Sequence, residues 1–326
     1  MRALILAAGL GTRLRPLTDV RAKAAVPVNG EALVRRIIRW LGAHGIADLV
    51  LNLHHRPETV AAAVGDGSGL DARVRYSWEN PVLGSAGGPR HALPLLVDDP
   101  DDPRASFLIV NGDTLTDLDP GAIARAHQAS GAAVTMALIA NPRPDRYGGV
   151  RVEGRRVTGF TRPGTAGPSF HFIGVQVADA RAFADLPDGV PLESVGAAYP
   201  ELMARDPGAI GAFVCDARFQ DIGTPADYLR TALALAAEEG DRLTGSRSRI
   251  ADSAELIRTI VWDDAVVGAR ARLESCIVCD RARVPDDARY ARCAILPADG
   301  RQPSGAGRIE DGMLISPFED GSETSS

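Results

Sequence analysis

The chain has few cysteines, no long apolar run and no basic stripe. Only four of its 326 residues are cysteine (Cys215, Cys276, Cys279 and Cys293), too few and too unevenly spaced for a disulfide framework. No apolar run reaches the length of a membrane span, and the first strand-like run is too short for a signal peptide. A cytoplasmic protein is the simplest expectation. Lys and Arg are scattered and the net charge is −6, so neither nucleic acid nor a membrane is an expected partner and any phosphate binding must be local. Two common phosphate loops are missing as well. Leu14 stands where a dinucleotide fingerprint needs its third glycine, and no Gly-Lys-Ser/Thr follows four intervening residues. His54-His55 has no third ligand at metal-binding spacing, and the last histidine is His171.

What is present begins at the front. The apolar run Ala3-Leu4-Ile5-Leu6 reads as a buried strand that breaks into Ala7-Ala8-Gly9-Leu10-Gly11-Thr12-Arg13, with Lys23 ten residues on. Glycines let backbone N–H groups turn toward an anion, and Arg13 and Lys23 bring two cations to it, which is equipment for a nucleoside triphosphate. Short apolar runs follow at 49–53, 74–76, 107–110 and 133–138, alternating with helical patterns at 33–41, 57–64, 88–96 and 120–130. This alternation predicts an α/β fold, a Rossmann-like, mostly parallel sheet with helices on both faces. Ligands in such sheets sit beyond the carboxyl ends of strands, where the Gly9 loop and Asn111-Gly112-Asp113 both fall.

The string Gly9-Leu10-Gly11-Thr12-Arg13-Leu14-Arg15-Pro16-Leu17-Thr18, with Lys23 after it, resembles the signature of sugar-1-phosphate nucleotidyltransferases, and further matches run to about residue 240. It departs at Ala22, where that family usually has proline. The resemblance implies transfer of a nucleotidyl group from a nucleoside triphosphate to a sugar 1-phosphate, with release of pyrophosphate and with Mg2+ as cofactor. Arg13 and Lys23 are then the catalytic cations. Leu6, Ala7, Ala8, Gly9, Gly11 and Thr12 line the nucleotide. Glu79, Gly84, Gly87 and Gly88, in a segment like the family's E-x(3–4)-L-G-T-A-G, line the nucleoside. Arg162 then binds the sugar phosphate, Gly149 lies in a turn near the sugar, Asn111 is a further substrate-binding residue, and Asp113 with Asp221 of Asp221-Ile222-Gly223-Thr224-Pro225 holds the metal. Thr161-Arg162-Pro163 departs from the family's E-K-P, and Phe172 stands where many relatives have asparagine. Ala7-Ala8-Gly9 looks like uridylyltransferases, with a hexose 1-phosphate as one candidate substrate, and Gly65-Asp66-Gly67-Ser68-Gly69 with Leu93-Pro94-Leu95-Leu96 looks like those acting on N-acetylmuramate 1-phosphate. The C-terminal part looks like mannose-1-phosphate guanylyltransferases, so base and sugar stay open. A catalytically silent regulatory relative is the non-enzyme alternative; all four charged residues it could lose are present.

Residues 260–276 can be laid over 277–293, pairing Val261 with Val278, Val267 with Val284, Leu273 with Tyr290 and Cys276 with Cys293. Apolar positions every five or six residues suit a triangular β-solenoid and resemble the left-handed β-helix of hexapeptide-repeat proteins. The repeat accounts for Cys276 and Cys293 as equivalent positions rather than zinc ligands. Without a histidine the repeat is not an acyltransferase; its expected role is assembly, including a homo-oligomer, or cover. The expected domains are thus 1–240, catalytic; 245–298, a short β-helix; and 299–326, a flexible tail.

Overall fold

The computed structural model describes residues 1–99, 102–220 and 222–319. Its contacts gather into two compact units, Met1–Gly9 with Val34–Gln220, and Leu10–Leu33 with the C-terminal part of the chain. The sequence places a boundary at residue 240. The contacts instead assign the glycine-loop segment to the C-terminal unit, because Leu10–Leu33 leaves the sheet once its first strand ends.

The first unit is built on nine strands: β1 (Ala3–Leu6), β2 (Asp48–Leu53), β3 (Arg73–Trp78), β4 (Ser106–Asn111), β5 (Val134–Ala140), β6 (Gly149–Glu153), β7 (Arg156–Thr161), β8 (Phe170–Asp179) and β9 (Ile210–Val214). They lie in the order β3-β2-β1-β4-β8-β5-β9-β7-β6. Ala3, Leu4 and Ile5 of β1 are fully buried, as expected of a strand flanked by parallel neighbours on both edges. Each parallel step needs a crossover, supplied by α1 (Leu33–Ala43), α2 (Pro57–Val64) and α3 (Gly84–Leu96). Helix α4 (Pro120–Ser130) follows β4, with Asp119 capping it through Gly121 N. The core gathers Leu4, Val50, Phe107, Ile109, Met136, Phe183 and Tyr199.

The sheet is mixed rather than mostly parallel. Strand β8 runs antiparallel to both β4 and β5, and the β6–β7 hairpin closes the far edge. The ten-residue β8 escapes apolar-run reading because its first half carries Phe170, His171 and Phe172, only partly buried, before a register shift between Phe172 and Gln176.

In the second unit, Pro27–Val28 and Glu31–Ala32 form a hairpin whose turn, Asn29-Gly30, has φ of 47° and 78°. Helix α6 (Pro225–Glu239; α5 is Tyr199–Arg205 of the first unit) starts with a full capping box between Thr224 and Asp227. The repeat then winds as three parallel ladders: Ile250–Val267–Val284, Leu256–Leu273–Tyr290, and Val261–Val278–Ile295. Every step is seventeen residues, the period of the sequence repeat, and Cys276 Sγ lies 3.8 Å from Cys293 Sγ. The corners recur at the same period, with left-handed backbone at Arg247, Asp264 and Arg281 and again at Arg258, Ser275 and Arg292.

The tail expected to be flexible from residue 299 is a correction. Arg308–Glu310 and Met313–Pro317 form a hairpin that pairs antiparallel with Cys293–Pro297. The last coil leaves an unpaired strand edge, and Leu314 and Ile315 carry the apolar side chains to cover it. Ile315 is 1% exposed within the solenoid core. Ile315→Ala is therefore expected to destabilise the C-terminal unit by about 2–5 kcal/mol, read by urea denaturation. A change below about 0.5 kcal/mol, the size of an ordinary surface substitution, would show that the hairpin adds no core.

Candidate active site

In the sheet unit the carboxyl ends of three parallel strands are level. Leu6 of β1 pairs with Asn52 of β2 on one side and with Asn111 of β4 on the other. The chain leaves β1 through Ala7 and Ala8, 5% and 2% exposed, before exposed Gly9. Ala7 N donates to Asn52 Oδ1 at 2.7 Å, and Asn52 Nδ2 donates to Glu79 Oε1 at 2.7 Å. Glu79 Oε2 accepts from Leu83 N at 2.7 Å, which fixes the entry to α3. Glu79 is thus buried, with both carboxylate oxygens accepting hydrogen bonds from its own chain that fix the shape of the loop. Asn52 is the residue the sequence reading passes over. Its trace is a lone amide inside the apolar run Leu49-Val50-Leu51-Asn52-Leu53.

Gly84, Gly87 and Gly88 fall inside the first turns of α3, which starts four residues before the predicted helix. Gly88 lies against the Asn52–Glu79 pair, while Ala86 N and Gly87 N both donate to Leu192 O.

At the end of β4, Gly112 N donates to Leu6 O at 2.9 Å, and Asp113 follows in the same turn, partly exposed. Thr114 Oγ1 donates to Ile173 O at 2.9 Å. Opposite, Gly174 has φ +79°; a Cβ there would stand 2.4 Å from Thr114 Oγ1 and 2.9 Å from Asn111 Nδ2. Only glycine fits this bend. The bend turns the first half of β8 toward the edge hairpin, where Phe170 pairs with Val150. Gly149 pairs with Thr161, so Arg162 leaves the hairpin exposed beside Gly148 and Gly149. The His171 ring packs at a tilt between Tyr147 and Phe219, with centroids 4.5 and 5.0 Å away.

The second unit holds the two cations. Gly11, at φ 59°, starts a single 3-10 turn, Thr12–Leu14, and its carbonyl accepts from Leu14 N and Thr18 Oγ1. A Cβ on Gly11 would meet Thr18 Cγ2 at 2.7 Å and Lys23 Cβ at 3.3 Å. That close approach brings Lys23 back beside the glycine loop. An open cleft of about 200 Å³ is lined by Gly11, Thr12, Arg13, Leu14, Lys23 and Gly223. Two motifs more than two hundred residues apart, the glycine loop and the segment ahead of α6, therefore share one wall. Asp221, the second predicted metal ligand, lies outside the described residues. Ala22, where the resemblance lacks its proline, has φ −52° and ψ 147° and is fully buried. The backbone there already holds a φ that proline would impose.

Among the described residues no group of three or more His, Cys, Asp or Glu side chains could hold a metal unaided, and no helix is long and apolar enough to cross a membrane.

Over 295 residues the chain is 28% identical to the mannose-1-phosphate guanylyltransferase of Mycobacterium tuberculosis, covering 86% of this chain and 80% of that one. Over 121 residues it is 42% identical to the N-acetylmuramate alpha-1-phosphate uridylyltransferase of Neisseria meningitidis, covering 36% of this chain and 49% of that one. The crystal structure of HddC from Yersinia pseudotuberculosis superposes with a TM-score of 0.61 at 22% identity, over 72% of this chain and 99% of that one, a likeness of fold. Residues 2–238 match the model of the nucleotidyl transferase family, and the chain belongs to that family.

Proposed function

We propose that this nucleotidyltransferase joins a nucleoside triphosphate to a sugar 1-phosphate, releasing pyrophosphate, and that GTP with mannose 1-phosphate is its pair. The observation that carries the reaction is the cleft in which Arg13 and Lys23 meet the glycine loop and Gly223. The pairing is supported by the similarity to the mycobacterial guanylyltransferase, which spans 86% of the chain. A second reading, UTP with an N-acetylated amino-sugar phosphate, is favoured by Ala7-Ala8-Gly9 and by the 42% identity over 121 residues.

In this reading a phosphate oxygen of the sugar 1-phosphate attacks the α-phosphorus. One P–O bond forms and the bond to pyrophosphate breaks. The nucleophile is already anionic near pH 7, so the chain needs no general base and acts by positioning and charge neutralisation. Arg13, within the glycine loop, grips the departing pyrophosphate through its planar fork. Lys23 reaches the α-phosphate, where charge is shared during transfer. The Asn52–Glu79 pair holds Ala7 and the start of α3, so the loop walls are set before substrate arrives. Arg162 serves the sugar phosphate.

Asp113 and Asp221 are the carboxylates assigned to magnesium. Hard oxygen donors, few in number and completed by substrate phosphates, are the set this cation favours. Bound there, it would neutralise charge on the phosphates.

The deciding experiment is pyrophosphate release from each nucleoside triphosphate paired with each sugar 1-phosphate. GTP with mannose 1-phosphate should give the highest kcat/KM. A preference for UTP with an N-acetylated sugar would install the second reading, and no release with any pair would overturn both.

Arg13→Ala and Lys23→Ala should each remove about 2–4 kcal/mol of transition-state stabilisation, measured by steady-state kinetics with folding checked by circular dichroism. Lys23→Arg should recover only part, because a planar fork does not replace a compact ammonium. Wild-type turnover in Lys23→Ala would end its catalytic assignment.

Asp113→Asn and Asp221→Asn should each lower turnover by orders of magnitude. Each should also weaken binding of Mn2+ to the nucleotide complex, followed by electron paramagnetic resonance. Near-normal turnover and Mn2+ affinity in either variant would remove that residue from the metal site.

A further inference from the structure

Arg21 lies two residues before Lys23, in the segment that lines the cleft. Its guanidinium reaches into the solenoid. Nε donates to Asp280 Oδ2 at 2.6 Å, and Nη2 donates to Asp280 Oδ1 at 2.7 Å and to Asp263 Oδ2 at 2.6 Å. Asp263 and Asp280 are seventeen residues apart, the same position on successive coils. The same guanidinium stands 5.5 Å from the centre of the Trp262 ring. Burial would raise the Asp263 carboxyl, but hydrogen bonds from Arg21 and Ser246 hold it below the ordinary carboxylate value.

Trp262 also ties the other side of Lys23. Its Nε1 donates to Tyr228 Oη at 2.8 Å, and Tyr228 donates in turn to Pro27 O at 2.6 Å. Burial pushes the Tyr228 phenol well up, so it stays a donor at any working pH. A third tie runs from Arg301 Nη2 to Asp19 O at 3.0 Å. Lys23 is therefore suspended between anchors at residues 19, 21 and 27. Ala22, Ala24, Ala25 and Val26 beside it are buried. Alanine at position 22 does not lock its own backbone, so the restraint there must come from contacts.

We propose that Arg21 is a positioning residue: clamped by Asp263 and Asp280 on two coils of the solenoid, it fixes the backbone that presents Lys23 to the cleft. The solenoid is then a working part of the phosphate-handling loop, not a detachable module for assembly. The catalytic half of this inference rests on the function proposed above; the structural half does not.

The test joins hydrogen–deuterium exchange with kinetics on the full chain. In Arg21→Gln, amides of residues 10–27 should exchange about tenfold faster while those of residues 260–296 keep their protection, because only local opening is made easier. The same kcat should fall about tenfold, equivalent to about 1.4 kcal/mol, with KM for the nucleotide changed less than about twofold, since the loss falls on the transition state. Asp263→Asn/Asp280→Asn should reproduce both effects, and adding Arg21→Gln to it should add little, since the three groups act as one unit. Arg21→Lys, which keeps the charge but loses the fork and much of the stacking, should rescue only in part. Unchanged exchange in residues 10–27 would overturn the proposal. So would faster exchange spread equally through the solenoid, which marks a general stabilising role, or faster local exchange with unaltered kcat. If the wild-type chain turns over no substrate pair, the functional reading fails, and the exchange experiment, which needs no substrate, still decides whether Arg21 orders the loop.

Discussion

The sheet unit depends on the in-register parallel pairing of β1 between β2 and β4. Because Leu6 stands level with Asn52 and Asn111, three chain exits open at one height. Partners lie nearby: Ala7 N on the Asn52 amide and Gly112 N on Leu6 O, while Glu79, just past β3, links that amide to Leu83 N. A one-residue slip would reverse the faces of β1 and part the contacts made by Leu6 and Ala7. The buried amide–carboxylate pair is the costly element in this arrangement. It is tolerable because both carboxylate oxygens and both functional ends of the amide are satisfied.

The second unit depends on repetition. A seventeen-residue step stacks like on like, so Leu256, Leu273 and Tyr290 form one apolar column, and Arg247–Asp264 and Arg270–Asp287 form ion pairs between successive corners. Those exposed pairs add little stability. Asp263 and Asp280 follow the same step but are spent differently. Their carboxylates close on an arginine from the glycine-loop segment, whose guanidinium stands over the Trp262 ring. A periodic structure thereby presents two anions at a fixed spacing, and a single guanidinium fork bridges them.

Much of this was legible in the sequence. The apolar runs marked β1, β2, β4 and β5 to within a residue or two, because buried parallel strands carry little else. The helix from 57 to 64 and that from 120 to 130 were bounded by proline starts and glycine stops. The seventeen-residue pairing matched residue for residue, since a solenoid maps sequence period directly onto contact. Less legible were β8, whose bend at Gly174 breaks any single periodicity, and the hairpin at 308–317, whose polar, glycine-rich surroundings mask Leu314 and Ile315. Gly11 and Arg13, from one contiguous string, and Lys23, shortly after it, line one cleft. Asn52 and Gly174 were not legible, because their roles are defined by partners dozens of residues away.

The sequence by itself determined the family, the glycine loop with Arg13 and Lys23 close to it and the repeat, all of which are local strings or fixed periods. Only the tertiary structure decided that Glu79 turns inward to hold the chain, and that the glycine-loop segment packs with the C-terminal unit rather than the sheet. It alone decided, too, that Arg21 belongs to Asp263 and Asp280. The physical reason is common to all three. A charged side chain declares its chemistry in the sequence, but which opposite charge or backbone group satisfies it is settled only by the packing that removes it from water.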